Sequence, residues 1–283
     1  MCVTHVVLDG PMGTELARRG MPTPMPAWSA HALAAAPQTV AAIHRDYAAA
    51  GATVHTANTF RTKRRTLGAR WEELARRAVR IARASVPPGQ RVAGSIAPLE
   101  DCYRADLSPG VDSRDEHREL ARVLADEGVD LLLCETFPSA IEARVAVEEA
   151  VRTGIETWVA LTAGPDASLM TPKQMRDAAR SCREIGARAL LVSCTPASQT
   201  LAFVERIAEV GAPFGAYSNA GRPDEGVGWG GDPNAGAHAY ATFAMSWVGA
   251  GATVLGGCCG TGPEHVAQLA RALQCTGFTS TRP

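Results

Sequence analysis

Along the chain, short runs of consecutive apolar residues alternate with longer stretches in which apolar positions recur every three or four residues. The apolar runs fall at 6–9, 53–58, 92–97, 131–135, 157–162, 189–194, 213–218 and 253–257. They are continuous rather than alternating, the pattern of parallel strands covered on both faces. The periodic stretches, near 39–50, 71–84, 114–127, 141–152, 172–185, 199–210, 237–249 and 264–273, read as amphipathic helices. Several are followed by a glycine that suits a left-handed cap: Gly51, Gly128, Gly154, Gly186 and Gly211. Eight strand–helix units in succession predict an α/β fold, a closed (βα)8 TIM barrel rather than an open sheet. No linker, low-complexity tract or charge block divides residues 1–283, so one domain is expected.

Three longer irregular stretches, 11–37, 98–112 and 221–234, follow strand C-terminal ends, the face on which barrel enzymes build their sites. Composition narrows the partners. Hydrophobic residues make up 46% and charged residues 20%, enough apolar material for a large core. A formal net charge of −1 offers no electrostatic attraction to nucleic acid or an anionic membrane. Met1-Cys2-Val3-Thr4-His5 lacks the basic and apolar regions of a leader, and no apolar run approaches the ~20 residues of a membrane span. A soluble cytoplasmic protein acting on small molecules is expected, and its oligomeric state is not indicated.

Cysteine changes the picture most. Eight cysteines in a chain of this size, without the regular spacing of a small secreted scaffold, point to metal ligands, nucleophiles or buried apolar residues rather than disulfides. Cys194 ends the sixth predicted strand, and Cys258-Cys259 end the eighth within Gly256-Gly257-Cys258-Cys259-Gly260. Three thiols on one rim leave a fourth position open on a zinc ion, the arrangement of a catalytic site. Bound zinc would hold an incoming thiol as the nucleophilic thiolate. Flanking glycines allow neighbouring cysteines to face one ion, although successive strand residues normally point to opposite faces. Buried small hydrophobes remain the alternative. Cys2, Cys102, Cys134, Cys182 and Cys275 read as structural residues.

Other polar strand ends are Asp9-Gly10, Asn58-Thr59, Glu135-Thr136 and Tyr217-Ser218-Asn219. Together with Leu8-Asp9-Gly10-Pro11-Met12-Gly13-Thr14-Glu15-Leu16, Thr56-Ala57-Asn58-Thr59-Phe60, Gly94-Ser95-Ile96-Ala97-Pro98 and Gly256-Gly257-Cys258-Cys259-Gly260, the chain resembles the homocysteine S-methyltransferase family from residue 6 to about 273. The resemblance implies a zinc-dependent (βα)8 barrel in which Cys194, Cys258 and Cys259 bind the metal and homocysteine adds the fourth ligand through sulfur. It also implies that Glu135 binds the amino group of homocysteine with Asp9 beside it. That fits a buried carboxylate's need for a cationic partner. Backbone N–H groups around Gly10 suit the substrate carboxylate. Thr59 joins the candidate substrate-binding set, as does Asn219, expected either to approach the metal when substrate is absent or to brace a loop.

The chain also departs from relatives of this kind. Within residues 1–283, neither a cobalamin- or folate-binding module nor an extended C-terminal arm is expected. Donor and acceptor are therefore expected to share one barrel mouth, or a separate protein to deliver the methyl group. A small onium donor, S-methylmethionine or S-adenosylmethionine, is the simplest choice, with Trp28, Tyr103, Tyr217 and Trp229 as aromatic surfaces for its charge. The expected reaction makes methionine. Another thiol acceptor, a zinc- or thiol-sensing binding protein and a phosphate-binding barrel lyase are the competing readings. The lyase would use the glycine-rich turn 256–262 but lacks a lysine or His–Glu pair at the strand ends.

Overall fold

The structure, a computed structural model, describes residues 4–229 and 232–276; Cys2 and the side chain of Cys275 lie outside that description. Eight strands form one parallel sheet in the order β1-β8-β7-β6-β5-β4-β3-β2. They are β1 (Val6–Val7), β2 (Val54–Thr56), β3 (Arg91–Ile96), β4 (Leu131–Phe137), β5 (Thr157–Leu161), β6 (Ala189–Pro196), β7 (Phe214–Asn219) and β8 (Val254–Gly257). A parallel bridge between Leu8 and Val54 joins the two ends of that order, with Asp9 N donating to Val54 O at 3.0 Å. The result is the expected (βα)8 barrel, with helices between successive strands.

Burial explains why the strands read as continuous apolar runs. Leu131 and Leu133 belong to one apolar cluster with Leu8, Val54, Trp158 and Leu191, which fills the barrel interior. Their neighbours Leu132 and Cys134 belong to a second, larger cluster between sheet and helices. Both faces are covered, so the strands are mostly apolar, with His55 in β2 and Ser193 in β6 among the buried exceptions. The expected glycine caps are present, all five with positive φ, from 74° at Gly211 to 129° at Gly186. The helix Pro172–Ile185 begins with a capping box, in which Thr171 and Gln174 satisfy each other's backbone N–H groups.

The structure corrects the reading of 11–37 as irregular. Helices Met12–Arg18 and His31–Ala35 lie within it, joined through a 3-10 turn at Trp28–Ala30. At seven and five residues they are too short to display a period. Leu16 and Leu33 are nevertheless fully buried, so this segment packs on the barrel as a lid-like cover beside β1. The following helix starts at Pro37, where the ring fits the first helical position. No described helix is long and apolar enough to cross a membrane.

Candidate metal and substrate site

The C-terminal ends of the strands surround a cavity of about 300 Å³. Cys194, Cys258 and Cys259 line it, and their Sγ atoms all lie within 4.8 Å of one another. Backbone irregularity brings them together. β6 shifts register between Ser193 and Pro196, and Cys194 within that bulge has φ 44°. Beyond β8, Cys258 N donates to Ser218 O at 2.9 Å and Ala220 N to Cys259 O at 2.9 Å, pinning the pair to the end of β7. Gly257 is required here because a Cβ would collide with the Thr261 side chain, which itself donates to Cys258 O.

One feature differs from the sequence reading. Cys194 and Cys258 are joined as a disulfide, while Cys259 is a free thiol with Sγ 3.7 Å from Cys194 Sγ. Three sulfurs this close are also close enough to bond as a pair. Metal ligation needs thiolates, so only the reduced form of this cluster could hold a metal ion. Burial pushes the Cys259 thiol up to about 11. In donor chemistry and spacing the reduced set fits zinc, three soft ligands beside an open cavity. Among the other cysteines, Cys134 and Cys182 are buried away from the cavity as expected, whereas Cys102 lines it.

Two buried carboxyls share this cavity. Glu135 stands in a bulge of β4, between Cys134 and Phe137, next to Thr136 at φ 61°. Its carboxylate accepts hydrogen bonds from Ser95 Oγ and, at 3.0 Å, from Tyr217 OH. Burial raises its pKa against the opposing effect of those bonds. Asp9 accepts from Thr56 N at 2.9 Å, and burial raises its pKa to about 8, with Glu135's charge contributing in the same direction. Both carboxyls therefore lack the cation that would stabilise their ionised forms. Behind Asp9, the fully buried His44 and His55 complete a cluster with ligand atoms within 4.8 Å of one another. Neither ring nitrogen of His44 has a hydrogen-bond partner, and burial lowers its pKa to about 3.

Gly10 also lines the cavity, and a Cβ there would press into the Tyr47 ring at 2.6 Å. Thr59 and Asn219 are not in the wall. Thr59 Oγ1 donates to Ser95 O at 2.8 Å and accepts from Ser95 N at 2.9 Å, so it locks the end of β2 to β3. Asn219 donates to Cys194 O at 2.8 Å and accepts from Gly221 N at 2.8 Å, bracing the loop beside the sulfur cluster. Trp28, Tyr103 and Tyr217 line the cavity; Trp229 does not, its indole donating to Gly221 O at 2.6 Å. Nothing in the sequence alone singles out Ser95, Asn58 or Arg61 for a role at the site. Ser95 and Asn58 stood inside recognised strand-end runs, but their partners come from other strands and loops. Asn58 Oδ1 is buried in the cavity wall without a partner.

The model of the family described as homocysteine S-methyltransferase matches residues 6–273. The homocysteine S-methyltransferase YbgG of Bacillus subtilis is 30% identical, over 94% of this chain and 93% of its own length. Two crystal structures of the Escherichia coli homocysteine methyltransferase MmuM superpose closely. The metallated form does so with a TM-score of 0.78 at 26% identity, covering 94% of this chain and 96% of that one. The oxidized form gives 0.79 at 27% identity, covering 94% and 95%.

Proposed function

We propose a reaction for this chain from one premise: it belongs to the homocysteine S-methyltransferase family. The reaction is transfer of a methyl group from a small sulfonium donor, S-methylmethionine or S-adenosylmethionine, to the thiol of homocysteine, with zinc held by reduced Cys194, Cys258 and Cys259. The observation that carries it is the convergence of three sulfurs and two cation-deficient carboxyls on one cavity. Zinc there supplies Lewis acidity that keeps the homocysteine sulfur in its thiolate form near neutral pH, without redox chemistry.

The protein's own groups then position the reactants. Glu135, oriented by Ser95 and Tyr217, receives the homocysteine ammonium, with Asp9 beside it. An ammonium between them supplies the missing cation and lets both carboxyls ionise. Gly10 N, which makes no hydrogen bond among the described residues, is available to the substrate carboxylate. Tyr103 and Trp28 offer aromatic faces to the sulfonium. The homocysteine sulfur attacks the donor methyl carbon in line, forming one S–C bond as the donor's S–C bond breaks. The thiol proton passes to solvent, and methionine leaves with the demethylated donor. Alignment of sulfur with methyl provides the bulk of the protein's contribution.

A donor panel with homocysteine, read by mass spectrometry for methionine on reduced, zinc-loaded protein, tests the reaction. A chiral-methyl donor should give net inversion. Retention, or a methylated protein trapped before homocysteine is added, would replace direct transfer with a route through an enzyme cysteine.

A further inference from the structure

Among the described residues, three carboxyl side chains, Asp9, Asp101 and Glu135, line the cavity, but only one cationic side chain does, Arg61. Among the described residues its guanidinium makes no hydrogen bond or ion pair, and its Nε is shut off from solvent without a partner. Its neighbour is an aromatic surface. The guanidinium carbon lies 5.6 Å from the Phe60 ring centroid, and Phe60 meets Trp28 edge to face at 5.9 Å. Nearby Lys63 is already committed to Pro98 O. A part-buried guanidinium with no acceptor is left with an uncompensated desolvation cost, and a carboxylate from the cavity would remove it.

Charge matching, on the methyl-transfer reading above, shows which carboxylate is missing. Two amino-acid substrates bring two ammoniums and two carboxylates, and the donor adds a sulfonium. Glu135 and Asp9 take the homocysteine ammonium on that reading, Asp101 is left for the donor's ammonium, aromatic faces take the sulfonium, and the Gly10 N–H suits one carboxylate. The other carboxylate needs a cation. Arg61 follows β2, which lies four strands from β6 in either direction around the barrel, opposite Cys194. The sulfur cluster marks the acceptor's end of the cavity, so the β2 side belongs to the donor. We propose that Arg61 binds the α-carboxylate of an amino-acid methyl donor, whose sulfonium rests against the Phe60–Trp28 surface.

The test compares S-methylmethionine with its carboxamide, measured by calorimetric binding to the reduced, zinc-loaded protein. The wild type should bind the acid at least tenfold more tightly than the amide. Arg61→Ala should weaken the acid by tenfold or more and leave the amide within twofold, with homocysteine affinity unchanged. Arg61→Lys should recover part of the loss, because it keeps the charge but not the planar fork. In turnover, the donor KM should rise while kcat changes little. Equal losses for acid and amide, a weakened homocysteine instead, or no binding of either donor by the wild type would overturn the assignment. Discriminating binding without methionine formation would support Arg61 while overturning the proposed reaction.

Discussion

At the scale of single residues, the two buried carboxyls behave as unfinished ion pairs. Burial holds Asp9 at about 8 in the folded protein, against an ordinary value of 3.8. Between those values the folded state keeps a proton that the unfolded chain has lost. The stability associated with this group is therefore complete below about pH 4 and declines as pH rises through 8. Asp9→Asn has no such proton to lose and can still accept from Thr56 N. Its stability relative to the wild type should climb between pH 4 and 8, at most by roughly 1.4 kcal/mol per pH unit, then level off. Urea midpoints at pH 5, 7 and 9 measure this, and a pH-independent difference would contradict the burial cause. Glu135→Ala removes the proposed partner of the homocysteine ammonium. Loss of a charged hydrogen bond should weaken homocysteine about ten- to hundredfold and leave donor affinity nearly untouched, which calorimetry with each substrate resolves. Both residues were legible in the sequence because each is an acid at the end of an apolar run. Ser95 and Tyr217 beneath Glu135, and His44 behind Asp9, were not, since nothing local reveals a hydrogen bond or contact between distant segments.

At the scale of elements, period and burial made all eight strands readable, and the backbone irregularities that build the site were not. The apolar runs 131–135 and 189–194 identify β4 and β6. An apolar run does not show that β4 shifts register at Glu135 or β6 at Cys194, nor that Thr136 and Cys194 take positive φ. Such strain is held where surrounding structure over-determines it, here by the strand pairs on either side. Close approach between strands has a similar hidden cost. A Cβ on Gly215 in β7 would fall on the Val254 carbonyl of β8, which is backbone and cannot rotate away. Gly215→Ala should therefore destabilise the barrel by about 1–3 kcal/mol or more, the range for overpacking a closed core. A denaturation midpoint equal to the wild type's would show that β7 and β8 can separate freely.

At the scale of the whole molecule, the barrel brings the ends of β6 and β8 to one rim. The apolar core contains the structural stability, since its two clusters run around the interior and under the helices. On the proposed function, zinc binding and the Cys194–Cys258 disulfide would compete for the same sulfurs. The prediction is a redox-dependent metal content. Protein kept without reductant should carry little zinc, and after thiol reduction it should take up about one zinc per chain. Binding only to the folded, reduced state adds RT ln(1 + [Zn]/Kd), about 4 kcal/mol when free zinc exceeds Kd a thousandfold. For a chain of this size that raises the melting midpoint by roughly 10 °C. Cys258→Ser and Cys259→Ser should each lose most of the zinc and its stabilisation while the apo protein keeps its far-ultraviolet spectrum. Cys259→Ser, measured after thiol reduction, is the sharper of the two, because it removes one thiol outside the disulfide pair and leaves Cys194 and Cys258 free to ligate. Full zinc stoichiometry in that variant, or in wild-type protein whose Cys194 and Cys258 remain oxidised, would move the metal elsewhere.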